Sequence, residues 1–385
     1  MFNNKIDKNI IDLLNLISSS RFNTYLVGGC VRDIILGYTP KDLDILVEDQ
    51  IDEFAIFLST SLNSKVIKFQ NHGFETFRII NTKTKVNIDI TKYSNGNDGL
   101  LNDLSMRDFT INSMAISLNE GQFDFNDIVD PFRGLEDLNN NLIRYISEDS
   151  VLLDPLRLLR SVRLSSKLNF NIEEKTKKYF MANSEKINIV SKERIRDEII
   201  DIFALNNSSK YLILMEELNI LNQVFPEIQL TNGINQGGLH DKDVYMHSLA
   251  TLYFIENIIS ENLFPDISLN NSIFAHENTI IPYIKLAAFL HDIGKPDTKS
   301  FLQSRIRFIS HEDYGSKISE KITTRLKFSL KVKKYISCLI KNHLRLGHLI
   351  SLPDFPSDRA IRKLSRDCYD VINDLIYLDF ADYLA

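Results

Sequence analysis

The feature that most limits what this chain can fold into is a change of period near residue 145. Before it, short apolar stretches alternate with polar residues and turn signals, the pattern of strands mixed with helices. Residues 1–20 read as an amphipathic helix with Ile10, Ile11, Leu14 and Ile17 on one face. Tyr25-Leu26-Val27 reads as a strand ending at Gly28-Gly29, and a helix follows from about Val31 to Leu36, stopped by Gly37. Further strands are expected at 43–48, 66–69, 74–80, 85–91 and 113–118. After the change, 151–168, 173–184, 192–206 and 208–222 all show helical spacing. A Gly-rich break from Asn232-Gly233 to Gly237-Gly238 precedes a last helical region from about 243, within which the Asn- and Ser-rich segment 257–282 is expected to loop out. The fold class is therefore α+β: a mixed sheet with helices over 1–145, an all-α segment over 146–235 and a second all-α segment over 236–385.

A length of 385 residues suits two or three domains. There is no run of about 18 apolar residues to span a membrane, and the N-terminal MFNNKIDKNI lacks the apolar core of a signal peptide. Cys30, Cys338 and Cys368 are odd in number and far apart, which points to reduced thiols, a cytoplasmic location and no cysteine-based zinc site. The net charge of −6 does not advertise a nucleic-acid binder. Its distribution matters more: from Lys321 to Pro353 there is no acidic residue, while Lys321, Arg325, Lys327, Lys331, Lys333, Lys334, Lys341 and Arg345 all fall there. Such a patch either holds phosphates or forms a solvated helix face.

The first chemical constellation is Gly28-Gly29, then Arg32-Asp33, then Asp42-Leu43-Asp44. Carboxylates at i and i+2 on a strand project from one face and repel each other unless a cation lies between them. Oxygen donors so placed suit a hard divalent metal such as Mg²⁺. Two such ions can align a 3′-hydroxyl and an α-phosphate for in-line displacement. The Gly-Gly turn lets backbone N–H groups approach a triphosphate, with Arg32 adding positive charge. No Gly-Lys-Ser/Thr follows, so this is not a Walker-type loop. An Asp-x-Asp alone is more often a solvated strand end; its placement between two strands behind a Gly-Gly turn is what makes the signal specific.

Downstream, Asp154 and Arg157 are three residues apart and expected on one helix face, with Arg160 and Arg163 continuing it. A carboxylate accepts from an exocyclic amine and a guanidinium donates to ring acceptors, so the pair can imitate a Watson–Crick edge. The plain alternative is an intrahelical ion pair. Asp89, in Val86-Asn87-Ile88-Asp89-Ile90, is a candidate third carboxylate.

Leu26-Val27-Gly28-Gly29-Cys30-Val31-Arg32-Asp33 with Asp42-Leu43-Asp44 resembles the polymerase-β-like nucleotidyltransferases, and more narrowly the bacterial class II tRNA nucleotidyltransferase and poly(A) polymerase family. Arg107-Asp108-Phe109-Thr110-Ile111-Asn112 resembles that family's Arg-Arg-Asp block, with Met106 in place of the first arginine. Asp154-Pro155-Leu156-Arg157 through Arg163 resembles its nucleobase-reading helix, with Leu153 where Glu is usual. The resemblance implies a nucleotidyltransferase head followed by a helical neck and body. It implies catalysis by Asp42 and Asp44 with Mg²⁺, and nucleotide contacts from Gly28, Gly29, Arg32, Arg107, Asp154, Arg157, Arg160 and Arg163. Asp108 and Asn112 are expected to pin their block. The implied partners are the tRNA 3′ end, CTP and ATP, and the implied reaction is template-independent addition of CCA. Between Asp89 and Asp103 the chain is about a dozen residues shorter than the common family form, a loss that resembles relatives adding only the two cytidines; ordinary variation of a Gly/Asn-rich loop is the alternative.

A second constellation is His291-Asp292 in Phe289-Leu290-His291-Asp292-Ile293-Gly294-Lys295, with His247 upstream and Asp382 downstream. Histidine and carboxylate donors suit a first-row transition metal, and His311 and His343 complete or flank the set. The order His…His-Asp…Asp resembles the HD superfamily of metal-dependent phosphohydrolases, which implies an HD-type helical domain over 236–385 holding an ion such as Ni²⁺, Mn²⁺ or Co²⁺. Three further readings stay open: a poly(A) polymerase sharing the head motifs, a phosphohydrolase whose head only binds nucleotide, and a non-enzymatic RNA scaffold.

Overall fold

The computed structural model describes residues 6–385 apart from 72–73, 82–85, 94–97, 120, 122, 126, 238–241, 270–278, 304 and 352–355. The chain forms two compact units. One comprises Met1–Asp154 with Phe170–Thr176, the other Pro155–Asn169 with Lys177–Ala385.

The first unit is built on a mixed seven-stranded sheet of order β3-β4-β5-β2-β1-β6-β7. The strands are β1 (Thr24–Val27), β2 (Asp42–Val47), β3 (Lys65–Asn71), β4 (Phe74–Ile80), β5 (Asn87–Lys92), β6 (Ala115–Ser117) and β7 (Ile128–Val129). All neighbours are antiparallel except β2 and β5. Alternation decides which face is buried: Leu43, Ile45, Ile88 and Ile90 are at most 1 % exposed, whereas Asp42, Asp44, Asn87 and Asp89 between them face the other way. Helices α1 (Lys8–Ser18), α2 (Gly29–Ile35), α3 (Ile51–Ser61), α4 (Gly99–Ser105), α5 (Gly134–Asn139) and α6 (Glu148–Leu153) complete the unit, with a short pair β8 (Leu142–Ile143) and β9 (Asn171–Ile172). Helix α1 buries Ile10, Leu13, Leu14 and Ile17.

The expected continuous helix 151–168 is two helices. Helix α6 ends at Leu153, Asp154 is extended (φ −141°, ψ 89°), and α7 runs Arg157–Leu168. Pro155 explains this, since a proline disfavours helical conformation in the residue before it. Asp154 and Arg157 therefore do not share the one helix that the spacing alone had implied.

The second unit is helical: after α7 come α8 (Glu174–Ala182), α9 (Lys192–Ala204), α10 (Ser208–Glu217), α11 (Leu221–Val224), α12 (Val244–Ser260), α13 (Ile281–Leu290), α14 (Lys295–Thr298), α15 (His311–Arg325), α16 (Leu330–Asn342), α17 (Arg345–Ile350), α18 (Asp358–Cys368) and α19 (Ile372–Leu384), with one hairpin, β10 (Lys299–Leu302) and β11 (Arg305–Phe308). Helix α13 is the centre. Every residue from Pro282 to Leu290 is buried, and it packs on α9, α12, α16 and α19. Its one charge, Lys285, is satisfied by the Leu205 carbonyl at 2.8 Å and Glu256 at 3.1 Å. Of the segment expected to loop out, 257–260 is still α12 and 270–278 lies outside the described residues. No helix among the described residues is long and apolar enough to cross a membrane.

Candidate functional site

In the first unit the Asp-x-Asp pair and the Gly-Gly turn meet because of strand register. Val27, last residue of β1, lies opposite Asp44 of β2, so the next residue, Gly28, runs past the Asp44 side chain. Gly28 has φ +83°, and a Cβ there would stand 2.5 Å from Arg107 Nη1 and 3.0 Å from Asp44 Oδ2. Only glycine satisfies both the backbone angle and the closeness. Gly29 begins α2. Asp44 lies opposite Asp89 across the parallel pair, and Asp42 opposite Asn87, whose Nδ2 donates to Asp42 Oδ1 at 3.0 Å. Burial lifts the Asp44 carboxyl to about 6; Arg107 opposes that shift, while Asp89 and Asp42 add to it. A carboxylate held up by burial and by other carboxylates is one that a divalent cation would bring back down.

The remaining residues of this group divide into facing and supporting positions. Arg107 Nε donates to Asp103 one helical turn earlier at 2.9 Å, which aims the guanidinium at Gly28 and Asp44. Arg32 is buried: Nε and Nη2 donate to Asp33 Oδ1 at 2.8 and 2.5 Å, and Nη1 donates to Asn112 Oδ1 at 2.5 Å. Asn112 in turn donates to Asp108 at 2.9 Å, and Asp108 accepts from the Phe109 N–H, so these two residues pin their block. Asp89 is clamped by Arg78, which lies opposite it on β4 and donates Nε and Nη2 at 2.7 and 2.6 Å. Sequence reasoning missed Arg78 because its partnership is set by register; Asp103 carried a readable signal, its i,i+4 spacing to Arg107.

In the second unit, Arg157 opens α7 and is buried. Arg160 and Arg163 lie along the same helix and converge on Glu198 of α9, buried, with Nε to carboxylate distances of 3.5 and 2.6 Å. Glu198 was not singled out from the sequence.

The His-Asp motif sits where α13 ends. His291 and Asp292 there are joined by His247 from α12, His311 at the start of α15, His343 at the end of α16 and Asp382 from α19, and these six side chains form overlapping groups able to hold a metal ion. Gly294 allows this approach, since a Cβ at that position would collide with the His311 carbonyl and the Gly315 nitrogen. The two oxygens of Asp292 face different histidines. Oδ2 lies 3.5 Å from His247 Nε2 and 3.1 Å from His291 Nε2, while Oδ1 lies 3.2 Å from His311 Nε2 and 3.8 Å from His343 Nε2. Asp382 Oδ1 stands 2.8 Å from His247 Nε2 and 3.3 Å from His291 Nε2. Lys295, inside the quoted motif but not singled out, reaches Asp292 at 2.5 Å and donates to Gln236 at 2.6 Å.

The hydrogen bonds behind the histidine rings orient the cluster. Nδ1 of His291, His311 and His343 each meets the carbonyl three residues earlier, at 2.8, 2.8 and 2.7 Å. That contact assigns the proton to Nδ1 and leaves Nε2 as a lone-pair donor aimed inward, the usual arrangement of a ligating histidine. Nε2 of His291 and His311 is buried without a hydrogen bond of proper geometry. Protons alone serve the cluster poorly. Burial works against charge on His291, yet Asp292 and Asp382 outweigh it and lift the ring to about 10; His343 beside it is pushed down to about 4 by burial and by the His291 charge. A divalent cation satisfies several of these donors at once, where a proton suits only one at a time.

Fold and site together define a nucleotidyltransferase head followed by a helical region that carries an HD-type metal-binding cluster. Three family patterns match in succession: the poly(A) polymerase head domain over residues 24–144, the "Probable RNA and SrmB- binding site of polymerase A" over 169–230, and the HD domain over 244–385. The chain belongs to the tRNA nucleotidyltransferase and poly(A) polymerase family. It is 28% identical over 364 residues to an A-adding tRNA nucleotidyltransferase of Deinococcus radiodurans, covering 93% of this chain and 75% of the relative. It is 27% identical over 373 residues to a CC-adding tRNA nucleotidyltransferase of Thermus thermophilus, covering 94% and 76%. Among solved structures, the Thermotoga maritima CCA-adding enzyme complexed with tRNA superimposes with a TM-score of 0.67 at 22% identity, covering 99% of this chain and 80% of that one.

Proposed function

We propose that the protein adds C and A nucleotides from CTP and ATP to the 3′ end of tRNA without a template. The observation that carries this reading is the meeting of Asp42, Asp44, Gly28 and Arg107 on one sheet face. Divalent cations such as Mg²⁺, held by Asp42 and Asp44, would supply positive charge at the reacting phosphate. Arg107 faces the same opening and contacts the triphosphate. Gly28 and Gly29 leave room for it, and Arg32 acts from behind by fixing α2 to the Arg107 block. Asp154 and Arg157, on either side of the Pro155 break, select the base, and Arg160 and Arg163 support that helix against Glu198 and approach phosphate. The division of labour follows three segments: 1–145 for chemistry, 146–235 for nucleobase and tRNA, 236–385 for the HD-type cluster.

A narrower reading, addition of the two cytidines only, is favoured by one feature: β5 ends at Lys92 and α4 begins at Gly99, a short connection of which 94–97 lies outside the described residues. One pocket must change shape between the cytidine and adenosine steps, and a longer mobile segment is the natural lever. Incubation of tRNA lacking its last three nucleotides with CTP and ATP, followed by sequencing of product 3′ ends, tests both readings. Complete CCA ends refute the narrower one, CC ends support it, and no incorporation either there or into tRNA already ending in CC refutes the nucleotidyl-transfer reading.

The six-residue cluster suits a first-row transition metal such as Ni²⁺, Mn²⁺ or Co²⁺. Its donors with Lys295 alongside fit hydrolysis of a phosphoester as a second activity. Metal-loaded protein assayed on a 2′,3′-cyclic nucleotide tests it, and absence of turnover with full metal content leaves the cluster a structural one.

A further inference from the structure

Six cations fall within residues 321–334, and their surroundings divide them. Arg325 is engaged: it donates to the Val224 carbonyl at 2.8 Å and to both Glu227 oxygens at 2.8 and 2.7 Å. Lys321, Lys327 and Lys334 are exposed and, among the described residues, make no ion pair. Lys331 is also exposed, and Lys333 donates to the Thr324 hydroxyl at 3.4 Å. Farther along, Lys341 and Arg345 are paired with Asp313 and Asp367. The exposed lysines thus surround the turn joining α15 to α16, while Val332, Tyr335, Ile336 and Leu339 on the opposite face are buried.

This turn is held firmly. Lys327 has φ +58°, and its carbonyl accepts from Arg196 Nη1 at 2.6 Å. Arg196, Val224 and Glu227 all lie within 169–230, the segment matching the RNA-binding pattern. Two arginine contacts therefore dock the lysine-rich turn onto that segment. Of the acids on the neighbouring helices, Glu320 accepts from Ser337 and Asp197 accepts from Arg196. Clustered like charges such as Lys331 and Lys334, three apart on one helix, repel and slightly disfavour folding. They become favourable when a polyanion lies across them.

We propose that the α15–α16 turn extends the RNA-binding surface, with Lys327, Lys331 and Lys334 lying on the phosphate backbone of the RNA substrate. The assignment rests on the tRNA reading above for the identity of the RNA. Its test compares the full chain with the triple variant K327A/K331A/K334A in binding a full-length tRNA transcript across a salt gradient, with no nucleotide present. The slope of log affinity against log salt should fall by about 2–3, and affinity at about 0.1 M salt should weaken roughly tenfold or more. The triple lysine-to-arginine variant should restore both. An unchanged slope, or a loss that arginine does not restore, overturns the proposal and leaves the patch to solvent or to an acidic protein. Binding is read without turnover, so a chain that binds tRNA through this turn but adds no nucleotide sinks only the functional reading.

Discussion

The two polar clusters of this chain solve opposite problems with overlapping residue types. The head cluster is made of carboxylates on an open sheet face, with Asp42 exposed and Asp44 half-buried beside Arg107. The HD-type cluster is made chiefly of imidazoles at the ends of buried helices; His291, Asp292 and His343 are at most 1 % exposed. Oxygen donors on an open face suit a hard ion that keeps waters and leaves with the product. Histidine nitrogens in a closed, pre-oriented cage suit a borderline ion that stays. Placement in the fold, as much as donor type, separates an exchangeable site from a resident one.

The largest expected effect breaks the first site alone. Asp42→Ala or Asp44→Ala should abolish CTP incorporation, a loss of several kcal/mol of transition-state stabilisation, with metal content of the HD-type cluster unchanged. Near-normal rates in either variant would remove the two carboxylates from the chemistry. The converse variant, His291→Ala, should lose bound transition metal by elemental analysis while CTP incorporation persists. Equal metal content in variant and parent would refute the cage.

A third prediction uses burial of the head site. Because burial lifts Asp44 from 3.8 to about 6, its charge opposes folding above about pH 6 and costs nothing below about pH 4. Asp44→Asn should therefore stabilise metal-free protein at pH 8 by about 2–3 kcal/mol, and the gain should fade as the pH falls from 6 to 4. Thermal melts in a chelator read this directly. A pH-independent difference would mean the carboxylate is not desolvated.

Smaller effects sharpen the comparison within the head and at the base-selecting segment. Asp154→Ala or Arg157→Ala should blur choice of CTP and ATP over UTP and GTP by about 1–3 kcal/mol; competition assays with all four nucleotides measure it, and parental selectivity in both would make the segment structural. Last, Arg78→Ala frees Asp89 beside Asp44. The Mg²⁺ concentration for half-maximal incorporation should shift a few-fold while base choice holds, and an unchanged Mg²⁺ requirement would show that Asp89 is inert with or without its clamp.

What the sequence by itself determined is whatever depends on near neighbours. The strands at 74–80 and around Asp42–Val47, the Gly28-Gly29 turn and the Asp42/Asp44 spacing follow from alternation and from glycine, because side-chain direction and backbone freedom are local properties. The break at Asp154 was also local: Pro155 announces it, and helical spacing across 151–168 obscured it. Only the tertiary structure decided who meets whom. Asp89 meets Arg78 because of strand register, and Arg160 and Arg163 meet Glu198 because α7 packs on α9. His247 reaches Asp382 across 135 residues, and His311 enters the cluster through the clearance at Gly294. Such meetings are set by how buried faces stack, and a pattern along the chain records which face is apolar without recording which other face will cover it.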